Sequence, residues 1–181
     1  KAARIASRKK LNNAKIDSII INGNIGDPDS INNSIKDNYG YELSDFLNTR
    51  TFLDHNRIYK KPNRILYKNI YTSGSFAYKG NIIEKNELIN NLIEHFLNWA
   101  PYIKKNGLIL LELHTINPNK VKSGHTLSCA YDTTHGFSDQ YLIEHDTFSE
   151  CLNKANLSIS KDYLKLYPDN SNPTVSINYI K

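Results

Sequence analysis

The densest set of chemistry-bearing side chains lies in "AYDTTHGFSDQYLIEHDTF", residues 130–148, with two histidines, four carboxylates, a glutamine and two tyrosines. His135 and Gln140 flank Gly136, so a loop can fold back and bring both side chains together. A neutral imidazole and an amide oxygen, with a third ligand from elsewhere, suit a hard or borderline divalent metal and leave positions open for a substrate carbonyl. The spacing alone is weak evidence, and a polar loop leading into a helix is the plainer reading.

A second cluster, Asp54, His55 and Asn56, follows a segment with the β-branched and aromatic content of a strand. His55 suits a general base or a metal ligand, with Asp54 as the carboxylate that orients it. The alternative is a turn in which Asp54 and Asn56 bond their own backbone, a common arrangement after strands. As third metal ligand His55 ranks ahead of Asp132 and His114. His114, at the end of a buried strand, reads as a histidine satisfied by a backbone carbonyl, and His95 and His125 read as structural.

These residues need elements to hold them. The opening "KAARIASRKKLNNA" reads as a polar helix, and "KIDSIIINGN" as a buried strand ended by Gly23. The next helix runs through "GDPDSINNSIKDNYG", with Asp29 or Ser30 as N-cap and Gly40 as its stop. After the strand "SDFLNTRTFLDH" comes a long connection, about residues 57–86 and rich in tyrosines, which reads as a lid or insertion over a site. Its Tyr67, Tyr71 and Tyr78 are candidates to line an acyl or aromatic pocket.

Apolar residues at Ile89, Leu92, Ile93, Phe96, Leu97, Ala100 and Ile103 mark one face of a helix, with Pro101 inside the pattern as a place for a break or kink. "GLILLELHTI" then reads as a strand covered on both faces. "HDTFSECLNKANL" follows as an amphipathic helix with Asp146 or Thr147 near its cap and the 144–146 carboxylates at its start. The chain closes on what reads as an antiparallel hairpin around "DNSNP". Strands alternating with helices predict a single α/β layered domain over residues 1–181 with a mainly parallel sheet. Ligands of such sheets bind beyond the carboxyl ends of the strands, which puts Asn24, residues 54–56, His114 and the 131–140 loop on one rim.

Composition narrows the function classes. The 181 residues suffice for one core, and the net charge of +5, 23 basic against 18 acidic side chains, is gathered in short groups. That distribution argues against a nucleic-acid partner, which would want a continuous basic stripe. Cys129 and Cys151 form no disulfide or zinc spacing, no apolar run reaches membrane-spanning length, and no signal peptide is evident, so a cytoplasmic location is expected. A chain without methionine that opens on "KAARIASRKK" reads as part of a longer protein.

The order of elements, together with "INGNIGDP", "FLDHNRIY", "YTSGSFAYKG", "EHFLNWAPYIKKNGLILLELHTI" and "YDTTHGFSDQY", resembles the C-terminal two thirds of a class I S-adenosylmethionine-dependent methyltransferase. The resemblance covers almost the whole chain and points to a bacterial group that includes methyltransferase domains of polyketide assembly lines, some of them mononuclear iron or manganese enzymes. It implies a Rossmann-like sheet, truncated at the N-terminus and ending in an antiparallel β-hairpin. It also implies S-adenosylmethionine as cofactor, a divalent metal such as iron or manganese, and a small-molecule or acyl-carrier-bound substrate.

No G-x-G-x-x-G occurs, so the half of the cofactor site built on that turn is expected to be missing and the piece alone inactive. Gly23 and Asn24 stand where the family usually has Gly-Asp, and Asn24, with Asp27 as neighbour, is the candidate for the adenine amino group. A sheet lacking strands would expose a raw edge, for which a homodimer is one remedy. A non-catalytic interaction module that keeps the fold is the rival reading.

Overall fold

The computed structural model describes residues 2–122, 134–136 and 138–181. Helix α1 (Ala2–Asn13) has no buried residue. Residues 16–24 do not form the expected strand; they run irregularly, with Ile16 and Ile19 about half exposed. A β-branched run becomes a strand only where another strand pairs with it, and among the described residues none lies alongside.

Helix α2 (Pro28–Tyr39) starts at Asp27, not Asp29 or Ser30: the Asp27 carboxylate accepts a hydrogen bond from Ser30 N at 3.2 Å and Pro28 occupies the first turn. It ends at Gly40, whose φ of 74° supplies the left-handed cap.

The main sheet contains β1 (Asn48–Thr51), β4 (Leu108–Leu113), β5 (Lys165–Tyr167) and β6 (Val175–Ile180) in the order β1-β4-β6-β5. Among the described residues only β1 and β4 are parallel; β4–β6 and β5–β6 are antiparallel, so the expectation of a mainly parallel sheet is corrected. The reason is topological: the last strand returns antiparallel into the middle of the sheet, a placement that local periodicity does not encode. β1 forms one edge. In β4 buried and half-buried residues alternate, so its two faces are covered unequally.

Helix α3 (Lys85–Ile103) buries Ile89, Leu92, Ile93, Phe96, Ala100 and Ile103 as the 3.6-residue period requires. Leu97 is 42% exposed, and Trp99 takes a place in the core instead. The helix continues through Pro101 to Ile103. Helix α4 (Pro118–Val121) is a single turn. Helix α5 (His145–Lys154) begins after Glu144, two residues before the expected cap, and its Phe148 meets Phe96 of α3 edge to face at 5.6 Å.

The connection over residues 57–86 contains a separate hairpin, β2 (Phe76–Tyr78) with β3 (Asn81–Ile83), turning through Lys79 and Gly80 at positive φ. Polar side chains of α3 hold the rest. Asn90 Oδ1 accepts from Leu66 N and Tyr67 N and its amide donates to Tyr67 O; Glu94 accepts from Asn63 N; Asn91 donates to Lys60 O. These bonds satisfy backbone groups that an irregular segment cannot pair by itself. Among the described residues no helix is long and apolar enough to cross a membrane.

Candidate functional site

The chain leaves β1 in a turn in which Asn56 N donates to Leu53 O at 3.1 Å. The turn drives Asp54 and His55 inward, 1% and 5% exposed, and leaves Asn56 outside. Asp54 bonds neither its own backbone nor His55. Its Oδ1 stands 3.2 Å from Arg50 Nη1 and 2.8 Å from His95 Nε2, and its backbone oxygen accepts from Arg57 Nη1 at 2.8 Å. Burial pushes the Asp54 carboxyl up, but Arg50, His95 and Arg57 together outweigh it and hold it below the ordinary 3.8. Burial pushes His95 down to about 4 against the pull of Asp54, so His95 is neutral at pH 7. The assignment of Asp54 as the residue that orients His55 is therefore corrected: Asp54 is the counter-ion of a buried basic group.

The carboxylate that holds His55 is Glu112. It lies on β4, the strand parallel to β1, so adjacent strands bring together residues 57 apart in sequence. Glu112 Oε1 meets His55 Nδ1 in a short contact and accepts from Leu113 N at 2.8 Å, while Oε2 accepts from His55 N at 3.2 Å. A carboxylate at Nδ1 fixes the proton there and leaves the Nε2 lone pair for a substrate proton or a metal. The sequence signal was available, since an acid inside an otherwise apolar strand needs a partner.

The ring of His135 stands edge to face with that of His55, centroids 5.8 Å apart. Gln140 N donates to His135 O and Tyr141 N donates to His55 O, so this segment is anchored to the turn after β1. Thus His55, His135 and Gln140 lie on connected backbone at one rim. Asp132, the alternative ligand, together with Tyr131, His125 and Cys129, lies outside the described residues. His114 is fully buried, with Nδ1 at 3.2 Å from Ile143 O and Nε2 at 2.7 Å from Ser176 Oγ. Burial, with His145 beside it, pushes it down to about 3.

Asn24 and Asp27 are engaged locally. Asn24 Oδ1, the oxygen expected to take the adenine amino group, accepts from Gly26 N at 3.0 Å, and Asp27 caps α2. Asn24 Oδ1 keeps a second lone pair.

Beside His135 and Gln140 opens a cavity of about 850 Å³. The β2–β3 hairpin lines it through Phe76, Ala77 and Ile82, together with His135, Gln140 and Leu142. Tyr67 and Tyr78 do not line it, and Tyr71 borders a smaller cavity near α5. Glu144 holds Ser73, which lines the cavity: it accepts from Thr72 Oγ1 and Ser73 N, each at 2.8 Å, and from Ser73 Oγ in a shorter contact. It thus clamps the 57–86 connection in addition to starting α5.

Among the described residues no three His, Cys, Asp or Glu side chains form a metal-holding group. Of the expected ligands, His55 and His135 stand ring to ring with centroids 5.8 Å apart, and two imidazoles with an amide oxygen are donors that iron or manganese accepts.

Comparison with curated proteins gives no match. A family model described as the AprA MT2-like domain matches residues 1–178, and the mixed α/β sheet with its parallel pair is compatible with a methyltransferase fold. The chain belongs to the AprA MT2-like family of methyltransferase domains, of the polyketide-associated kind.

Proposed function

We propose that the domain transfers a methyl group from S-adenosylmethionine to a small-molecule or acyl-carrier-bound substrate seated in the cavity, with His55 as general base. The observation that carries this reading is the buried His55–Glu112 pair, bordered by His135 at the cavity rim. S-adenosylmethionine, when bound, supplies an electrophilic methyl on sulfonium. His55 Nε2 takes the proton from the substrate atom as that atom forms its new bond to carbon. Glu112 holds the proton of the neutral ring on Nδ1, so that the lone pair sits on Nε2, and stabilises the imidazolium afterwards, as a buried carboxylate does for a base histidine. Asn24 offers its remaining lone pair toward the adenine.

A second reading, favoured by the edge-to-face approach of His135 to His55, makes His55, His135 and Gln140 ligands of an iron or manganese ion. The ion would supply polarisation of a substrate carbonyl. The Glu112 contact serves this role equally, because it orients a ligating imidazole.

The test, made on this chain and on the chain extended upstream, is labelled methyl transfer to an acyl-pantetheine thioester, with calorimetry for S-adenosylmethionine and metal analysis of the purified protein. His55→Ala is expected to slow transfer by roughly 10²–10⁴-fold with cofactor binding retained. Iron or manganese that is stoichiometric in the parent and lost in His135→Ala selects the metal reading. Neither cofactor binding nor transfer in the extended chain would mark a non-catalytic interaction module that keeps the fold.

A further inference from the structure

We propose that the β2–β3 hairpin is the acyl-recognition element of the cavity, with Ile82 as the residue that contacts an aliphatic chain. This rests on the reading of the cavity as the substrate site. Ile82 is 85% exposed although it lines a concave surface, whereas its neighbour Ile83 is 5% exposed. Leaving a β-branched aliphatic side chain in water forgoes its burial energy, and a ligand that covers it recovers that energy.

The register explains the placement. Phe76 pairs with Ile83 and both are buried, whereas Ala77 pairs with Ile82 on the alternate positions. The hairpin therefore turns one apolar pair into the core and presents the other.

Its position is fixed at both ends. At the tip, Lys79 N donates to Asp139 Oδ1 at 3.1 Å, which ties the hairpin to the segment bearing His135 and Gln140. At the base, Gly74 lies so close to the Phe76 ring that an added Cβ would come within 2.4 Å of it. One lining combines the polar His135 and Gln140 with the apolar Ala77 and Ile82, a combination that suits a polar head with a hydrocarbon tail. Ile82, the most exposed large apolar side chain of the lining, is aliphatic, and Phe76 is 6% exposed, which points to an alkyl chain over a stacked aromatic group.

The experiment measures binding of acetyl-, butyryl-, hexanoyl- and phenylacetyl-pantetheine by calorimetry to the parent chain and to Ile82→Ala and Ile82→Asn. In the parent, affinity is expected to rise by up to about fourfold per methylene covered. In both variants the rise with chain length should flatten. The exposure of Ile82 lets it be replaced without a core cavity, and thermal melts verify that the variants fold. A rise with chain length that survives in the variants overturns the role of Ile82 while leaving the cavity as substrate site. Phenylacetyl binding tighter than hexanoyl overturns the aliphatic preference. Failure of every thioester to bind the parent overturns both this inference and the reading on which it rests.

Discussion

Replacing Asp54 by asparagine removes the negative charge that Arg50 meets at 3.2 Å, in a site where Arg50, Asp54 and Arg57 are 5%, 1% and 4% exposed. The amide oxygen can still accept from His95 Nε2, so this hydrogen bond survives and the loss is mainly one of charge. Breaking a buried pair by removing one partner costs about 3–5 kcal/mol, because the remaining ion stays out of water. Glu112 also attracts both guanidinium groups, which places the expected cost near the lower end, about 3 kcal/mol. For a chain of this size that corresponds to a fall in Tm of about 6–12 °C. Urea unfolding followed by tryptophan fluorescence is the direct assay. Trp99 is the single tryptophan, and the Arg50 guanidinium lies 4.5 Å from its ring centroid. Asp54→Ala, which also forfeits the His95 bond, should lose more. A loss below about 1 kcal/mol in Asp54→Asn would refute the argument, since it would mean that the two arginines do not depend on Asp54 for compensation.

Two further outcomes follow from buried groups and close contacts. His95 and His114 titrate at about 4 and about 3 in the folded protein against an ordinary 6.5, so the unfolded chain binds more protons as the pH falls. Stability should therefore be fully present at neutral pH and decline below about pH 6.5, by roughly 2 kcal/mol per histidine at pH 5, as urea midpoints across pH would show; a flat profile would contradict the depressed values. Gly74→Ala would set a methyl within 2.4 Å of the Phe76 ring and 3.1 Å of Leu142 O, and overpacking of this kind should cost about 1–3 kcal/mol in thermal melts. An unchanged melt would show that Phe76 moves freely, and with it the cavity wall.

Local patterns made α2, α3 and β4 legible, because helix and strand periods are properties of neighbouring residues. They also marked Asp54, His55, His135 and Gln140 as a concentration of functional groups. They did not reveal which carboxylate serves His55. Asp54 is its neighbour in sequence, yet consecutive residues in a turn point apart, and the partner arrives from β4. The buried Arg50, on a short strand, and Arg57, at the head of a long polar connection, likewise gave no local sign that burial and Asp54 would capture them.

The sequence by itself determined the helices that carry the core, the polar composition of the rim and the family to which the domain belongs. Only the tertiary structure decided that residues 16–24 run irregularly, that β6 enters the sheet antiparallel between β4 and β5, and that Glu112 rather than Asp54 holds His55. The physical reason is common to all three. A period is written in adjacent residues, whereas strand pairing and buried charge pairing depend on which distant segment wins the contact, and that is settled by packing the whole chain at once.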